Sequence, residues 1–394
     1  MNQTSQSSLL PAGLQDLLPP HAANEAAIVR DLLAVFVAQG YQHVKPPLLE
    51  FEEALLSGTG AALGGETFRL MDPVSQRMMG LRADITPQVV RLAASRLGRM
   101  PRPLRLCYAG QVLRVRGSQL RPERQFTQVG LELIGAPQAA ADAEAVRLGA
   151  EALTRVGIPD LSVDLNLPPL VGVLAAELGL APDRVTALRR ALDGKDAAAV
   201  AAIAGERSDI FLELLRAAGP AEAALPQLRA LALPPAALDD LERLALVVEM
   251  LRDALPDLAI TVDPVEHRGF EYQTGISFIY FARGVRGELG RGGRYPALAG
   301  DGHGNGKEAQ SCTGVTLYMD TVLRAVPAAG EARRLYLPFG TPAAAGRQCR
   351  DQGWVTVQGL EAEADFTAAA WRMGCGHLLR DGEVVALADG GRKE

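Results

Sequence analysis

The sequence predicts an α+β protein: an antiparallel sheet flanked by helices, with a helical insertion and a small α/β domain at the C-terminal end. Three observations predict it. The stretch from Pro103 to Gly135 reads as strand, polar loop, strand, an antiparallel pair with a long basic hairpin between. A run of Ala/Leu-rich helices, broken by prolines at 182, 220, 226, 234 and 235, occupies about 169–255. The last part of the chain alternates strand and helix and closes on the two-residue Asp-Gly turn of RDGE at 380–383.

With 394 residues the chain exceeds one typical domain. The expected division is a large domain over 1–328, carrying the helical insertion at about 169–255, and a small domain over 329–394. Apolar residues make up 48% of the chain, enough for a large core. There is no apolar run of about 18 residues, so no membrane span is expected. The opening MNQTSQSSLLPAGLQDLLPP lacks a basic segment followed by an apolar one, so no secretory signal is expected either. Cys107, Cys312, Cys349 and Cys375 form no CxxC and fit buried free thiols in a reducing cytoplasm. The five histidines show no metal-ligand spacing, and neither metal nor cofactor is expected. A net charge of -6 gives no global attraction for nucleic acid.

The elements follow in order. Ile28, Leu32, Val35 and Phe36 recur at helical spacing, and Gly40 stops that helix. Pro46-Pro47 fits an edge strand or the entry to one, or a plain loop. FRLMD and RMMGLRAD read as a hairpin turning at Pro73–Gln76. A helix from Pro87 to Leu97 should follow, with Thr86 as its N-cap and proline at its first position. QAAADAEAVRLGAEALTRVGI is a helix ending at Gly157, and LSVDLNL and ITVDPV are strands on either side of the helical run. HRGFEYQTGISFIYFARGVRGELGRGGRYPALAG reads as strand, turn, strand and a Gly-rich bend. DGHGNG (301–306) follows no strand and opens no helix, which makes it a surface loop rather than a phosphate loop. SCTGVTLYMDTVLRAV runs from strand into helix.

The candidate site is the second strand of the central hairpin. Counting by twos puts Phe126, Gln128, Gly130 and Glu132 on one face and Val129, Leu131 and Leu133 on the other. The bare Gly130 between an amide and a carboxylate leaves room for something to lie there. A buried Glu132 needs a donor, and Arg114 at the end of the first strand is an available cation. A polar face open to water, or an internal Glu–Arg pair, accounts for the same pattern.

Five motifs in order carry a resemblance: LPAGLQDLLP near the start, RADIT at 82–86, the strand pair holding Arg114, Arg124-Gln125-Phe126, Gln128 and Glu132, RGFEYQTG at 268–275, and GGRY at 292–295. Over about residues 8–328 the chain resembles the histidyl-tRNA synthetase-like class II fold. The resemblance implies a histidine-binding set. Asp84 and Thr86 face the α-amino group, and Gln128 and Arg114 stand near the ammonium and carboxylate. Glu132 reads the imidazole and Tyr295 lines the pocket. Arg268 matches an arginine implicated in carboxylate activation, with a salt bridge to Glu271 or Glu288 as the plain alternative. Tyr272 and Gln273 stand where the synthetases carry Tyr-Tyr, which implies a rebuilt imidazole end.

The ATP end departs further from the synthetases. Val115-Arg116-Gly117 replaces His-Glu-Arg, and Pro122 stands where a loop arginine meets the γ-phosphate, with Arg121 beside it. Tyr318-Met319-Asp320-Thr321 replaces Gly-Leu-Glu-Arg. Losing one preorganised donor costs about 2.7–4 kcal/mol in a transition state, so several such losses imply no independent adenylation. A histidine pocket without an ATP grip is similar to the ATP phosphoribosyltransferase regulatory subunits. That family implies a non-catalytic role and a short-form catalytic subunit as partner. It also implies L-histidine as ligand and feedback signal, a homodimer within a hetero-oligomer, and no tRNA. The alternatives are an active or truncated histidyl-tRNA synthetase, and a stand-alone amino-acid-binding or amide-forming paralogue.

Overall fold

The structure is a computed structural model that describes residues 10–118, 121–267, 273–297, 309–327, 330 and 333–387. It divides into two compact units, Met1–Pro327 and Ala328–Glu394.

The first unit opens with helix α1 (His21–Ala38), which buries Leu32 and Phe36 and packs Ile28 and Val35 beside them. Gly40, at φ +85, turns the chain out of the helix. Strand β1 (Gln42–His43) follows, then Pro46-Pro47 in the link to β2 (Leu49–Phe51), where a missing N–H costs no ladder bond. After the short α2 (Glu52–Leu55) come β3 (Phe68–Met71) and β4 (Met78–Leu81). They pair as a hairpin with Met71 opposite Met78, and β2 adds to form a three-stranded sheet. Helix α3 (Thr86–Ser95) leads to the central hairpin, β5 (Leu104–Leu113) and β6 (Gln125–Ile134).

Helix α4 (Ala139–Arg155) and strand β7 (Leu161–Asn166) precede the helical run. That run comprises α5 (Pro168–Glu177), α6 (Pro182–Asp193), α7 (Ala197–Ala204), α8 (Ser208–Arg216), a two-residue β8 (Gly219–Pro220), α9 (Ala221–Arg229) and α10 (Pro235–Ala254). Strands β9 (Ala259–Asp263), β10 (Ser277–Ala282), β11 (Gly290–Ala297) and β12 (Gln310–Tyr318) and helix α11 (Met319–Ala325) complete the unit. The insertion shares the main core. Leu188, Phe211, Leu228 and Leu244 belong to the same buried cluster as Leu131, Leu165 and Phe278 of the sheet, and β8 pairs with β9 at the sheet edge.

The nine-stranded sheet runs β1-β5-β6-β12-β11-β10-β7-β9-β8. Its register sorts the side chains. Leu131, Val315, Phe278 and Leu165 lie in one row and face the apolar core. The next row, of opposite facing, carries Glu132, Gly314, Gly293, Ser277 and Asn166. GRGGRY corrects the expectation of a bend, because it is strand β11. Its glycines suit close packing rather than turning: a Cβ on Gly292 would strike the Phe278 ring and the Gly314 carbonyl.

In the second unit β13 (Arg334–Leu337), α12 (Ala343–Asp351), β14 (Val355–Gln358), α13 (Phe366–Arg372), β15 (His377–Arg380) and β16 (Glu383–Ala386) build a sheet of order β14-β13-β15-β16. Asp381 and Gly382, at φ +52 and +85, make the expected two-residue turn. The carboxylate of Asp365 caps α13 by accepting from the amides of Thr367 and Ala368. All four cysteines of the chain are free and buried.

Candidate functional site

The site lies where the polar face of the central sheet meets the start of α3. There the sequence expectation for Thr86 is corrected. Thr86 is the first helical residue, and its side chain does not cap the helix. Asp84 takes that duty, accepting the Thr86 amide at Oδ1 over 2.8 Å. The Thr86 hydroxyl is thereby released to donate to Glu132 Oε1 at 2.9 Å.

Glu132 is 1% exposed. Its other oxygen, Oε2, accepts from the Tyr295 hydroxyl at 2.6 Å, and the Tyr108 hydroxyl reaches Oε1 at 3.3 Å. The expected Glu132–Arg114 pair is not made. Arg114 pairs with Glu66 at 3.4 Å and lies over the Phe126 ring at 5.4 Å. It stays on the rim of the site, with its Nε 3.4 Å from the Ala83 carbonyl. Three hydroxyls from α3, β5 and β11 satisfy the carboxyl instead. Hydroxyls stabilise a buried anion less than a guanidinium would, and burial pushes Glu132 up to about 7, with those hydroxyl bonds working against the rise.

Gln128 is fully buried and links the rest. Its Nε2 donates to Asp84 Oδ2 at 2.8 Å, and its Oε1 accepts the Ile85 amide at 3.0 Å. The room expected above Gly130 is filled from within. Tyr108 sits opposite Gly130 in the β5–β6 register, and a Cβ there would overlap the phenol. That phenol contacts the hydroxyls of Thr316, at 2.8 Å, and Thr86, at 3.2 Å. Gln273 is 9% exposed. It places Nε2 3.4 Å from the Gly292 carbonyl and lays its amide oxygen across Gly293. On the neighbouring strand the Glu132 carboxylate lies across Gly314 in the same way.

The structure thus brings Asp84, Thr86, Gln128, Glu132, Tyr295 and Gln273 together, with Arg114 at the edge. Arg268 and Tyr272 lie outside the described residues, as do Glu271 and the DGHGNG loop at 301–306. Among the described residues no cluster of His, Cys, Asp or Glu could hold a metal ion.

A second group on this face is made of charges. Arg121 is 8% exposed. It donates through Nε to Asp320 Oδ2 at 2.9 Å, lies 3.7 Å over the Tyr318 ring and comes within 3.7 Å of Glu288. Glu288 also accepts from Arg291. Arg294, next to Tyr295 in sequence, points to the opposite face. There it pairs with the buried Asp142 at 2.8 Å and donates to the carbonyls of Ala136 and Gln138.

Sequence reasoning missed Tyr108, Thr316, Ser277 and Asn166. Tyr108 and Thr316 had a usable signal, since both oppose Gly130 and a glycine in a strand marks a close approach. Ser277 and Asn166 join the row only through a four-step register that no local pattern reveals.

The geometry presents a half-buried carboxylate, a rim cation and a buried carboxyl within one polar cluster, a set that suits a small zwitterion with an N–H-bearing tail. The sequence model described as histidyl-tRNA synthetase matches residues 13–322. An ATP phosphoribosyltransferase regulatory subunit of Rhodospirillum centenum is 55% identical over 382 residues, covering 97% of this chain and 97% of the relative. One of Paramagnetospirillum magneticum is 54% identical over 387 residues, covering 98% and 100%. Among solved structures, an ATP phosphoribosyltransferase regulatory subunit/histidyl-tRNA synthetase from Bacillus halodurans superposes with TM-score 0.79 at 25% identity, covering 93% of this chain and 96% of that one. A histidyl-tRNA synthetase from Nostoc sp. PCC 7120, at 18% identity and TM-score 0.80 over 97% of each chain, shares the fold.

Proposed function

Because the chain belongs to the family of ATP phosphoribosyltransferase regulatory subunits, on the histidyl-tRNA synthetase fold, we propose that it joins a short-form catalytic subunit and raises its turnover in the first step of histidine biosynthesis. In the same reading it binds L-histidine in the cluster around Glu132 and passes feedback inhibition to the partner. The family role is regulatory, not catalytic.

One observation carries the site assignment. The groups suited to an amino acid, Asp84, Gln128 and Glu132, form one connected cluster, while Arg121 beside it is taken up by Asp320 and Tyr318. A cation tied to its own carboxylate and stacked on its own ring has little left to offer a triphosphate. The protein's use for histidine is then to sense it. For histidine bound here to inhibit a partner, it must favour one state of the complex, with a coupling of about 1–3 kcal/mol as the usual scale. We further propose a homodimer within the hetero-oligomer and, from the buried free thiols, a reducing compartment.

The test mixes the purified chain with the short catalytic subunit. Co-sedimentation and a rise in turnover are expected, and absence of both would overturn the assignment. Calorimetry with histidine tests the pocket. Glu132→Gln and Arg114→Ala should each weaken binding by about 1.5–3 kcal/mol, and unchanged affinity in both would move the ligand elsewhere.

A further inference from the structure

Arg82 opens the RADIT segment, two residues before Asp84. It is 6% exposed, and its guanidinium joins three separate parts of the chain. Nε donates to the Gln111 carbonyl of β5 at 2.7 Å. Nη1 donates to the Pro46 carbonyl at 3.0 Å and, more weakly, to Gln88 Oε1 of α3 at 3.4 Å. Gln88 in turn donates through Nε2 to the Pro47 carbonyl at 2.9 Å. Two successive prolines have no N–H of their own, so these side-chain donors hold the link before β2. The Arg82 main chain is tied on both sides as well. Its amide donates to the Leu48 carbonyl at 3.1 Å, and its carbonyl accepts the Leu113 amide at 3.0 Å. The far end of the guanidinium lies across Gly110, where a Cβ would strike Nη2. Gly110 opposes Gln128 in the β5–β6 register, so both face one side of the sheet. The Arg82 fork therefore flanks the amide that grips Asp84.

Among the described residues the hydrogen-bond partners of this side chain are all carbonyl oxygens. A buried cation held by carbonyls alone is costly where a neutral donor would join the same elements. The carboxylate that favours its charge is Asp84. Asp84 is itself gripped by neutral donors, the Thr86 amide at one oxygen and the Gln128 side chain at the other, which leaves its charge for a guest. We propose that Arg82 is a positioning residue for the ammonium-binding end of the pocket. By fastening the Pro46–Pro47 link, β5 and α3 to one guanidinium, it sets where Asp84 and Gln128 stand. This rests on the histidine reading of the same cluster. The effect is local to that end, because Glu132 lies four residues beyond Gln128 on β6 and takes its donors from Thr86, Tyr108 and Tyr295 instead. A lysine at 82 keeps the charge but cannot make the fork.

The test compares L-histidine with imidazolepropionate, which keeps the ring and the carboxylate and lacks the ammonium. Affinities are read on the full chain from the thermal shift each ligand gives. Arg82→Met should weaken histidine binding by about tenfold, the scale of one charged contact, and leave imidazolepropionate within about twofold of its native affinity. Arg82→Lys should show the same selective loss at smaller size, and it carries the test where Arg82→Met does not fold. A residue that merely holds the fold would weaken both ligands alike. Equal losses for the two ligands, or no loss for histidine, would therefore overturn the assignment. Where imidazolepropionate gives no shift, the comparison is made in Asp84→Asn, in which Arg82→Lys should cost histidine nothing further; a full additional loss there would overturn the assignment equally. If the native chain binds no histidine at all, the pocket reading itself fails, an outcome distinct from the others.

Discussion

Arg121 donates to Asp320 at 2.9 Å while its guanidinium lies 3.7 Å above the ring of Tyr318. Both side chains of the pair are nearly buried, and Asp320 Oδ1 has no partner of its own. Removing one member of a buried pair strands the other, at a cost of about 3–5 kcal/mol. Asp320→Ala should fall near the low end, because Glu288 stands 3.7 Å from Arg121 and takes up part of the charge. Urea unfolding measures this. The double change Arg121→Met with Asp320→Leu should recover most of the loss, and a double variant no more stable than the single one would show that the loss has another origin.

The same pair bears on catalysis. With Arg121 engaged internally, histidine-dependent ATP–pyrophosphate exchange by the isolated chain should stay at background even at high protein concentration. Exchange above background would revive a synthetase activity.

Glu132 gives a pH signature. Its carboxyl has a folded value of about 7 against an ordinary value of 4.5. Below 4.5 both folded and unfolded chains hold the proton and the stabilising difference is fully present. It is lost as pH rises from 4.5 through 7, because over that range the unfolded chain gives up its proton while the folded chain still holds it. Each pH unit of difference is worth about 1.4 kcal/mol, so the total is on the order of 3 kcal/mol. Other carboxylates titrate too, so the readout is the stability difference between the native chain and Glu132→Gln. That difference should shift against the native chain by about 2–3 kcal/mol between pH 5 and pH 8, and a constant difference would mean that burial does not raise this carboxyl.

Gly314 and Gly130 should resist even one methyl group. A Cβ on Gly314 would overlap the Glu132 carboxylate, and one on Gly130 would overlap the Tyr108 phenol, with neighbouring-strand carbonyls closing the other side in each case. Overpacking a tight interior costs about 1–3 kcal/mol. On the proposed histidine reading Gly314→Ala should also weaken histidine binding, since it displaces the carboxylate proposed to read the ring. A thermal melt with calorimetry checks both, and a Gly314→Ala protein of native stability and affinity would show that Glu132 has room to move.

The sequence disclosed those parts of the molecule governed by local rules. The alternation of β6, the 3.6-residue spacing of α1 and the Asp-Gly turn at 381–382 each follow from a few adjacent residues, and the structure has them. Partner choice was the unreadable part. Glu132 had an arginine nearby in sequence, yet its donors come from Thr86, Tyr108 and Tyr295 on three separate elements. GRGGRY looked like a bend because glycine usually breaks structure. Its glycines are explained only by the Phe278 ring and the Gly314 carbonyl, which the fold brings against them. Asp84 displaced Thr86 as the cap because the threonine hydroxyl had a buried acceptor to satisfy.

Arg294 offers a contrast. Its guanidinium joins β11 to Asp142 of α4 and to two carbonyls before that helix, a fork that an ammonium cannot reproduce. Arg294→Lys should therefore lose about 2–3 kcal/mol of stability through two or more unmade charged bonds. A lysine variant within 0.5 kcal/mol of the native chain, roughly the scatter of a neutral surface change, would mean the fork is dispensable.

The collar around Glu132 is built from oxygens that can either give or take a proton. Thr86, Tyr108 and Tyr295 donate to the carboxylate, and the same hydroxyls can rotate to receive the hydrogen of a carboxylic acid without any heavy atom moving. An amphoteric seat of this kind lets the carboxyl gain or lose its proton near neutrality while the framework around it keeps its shape.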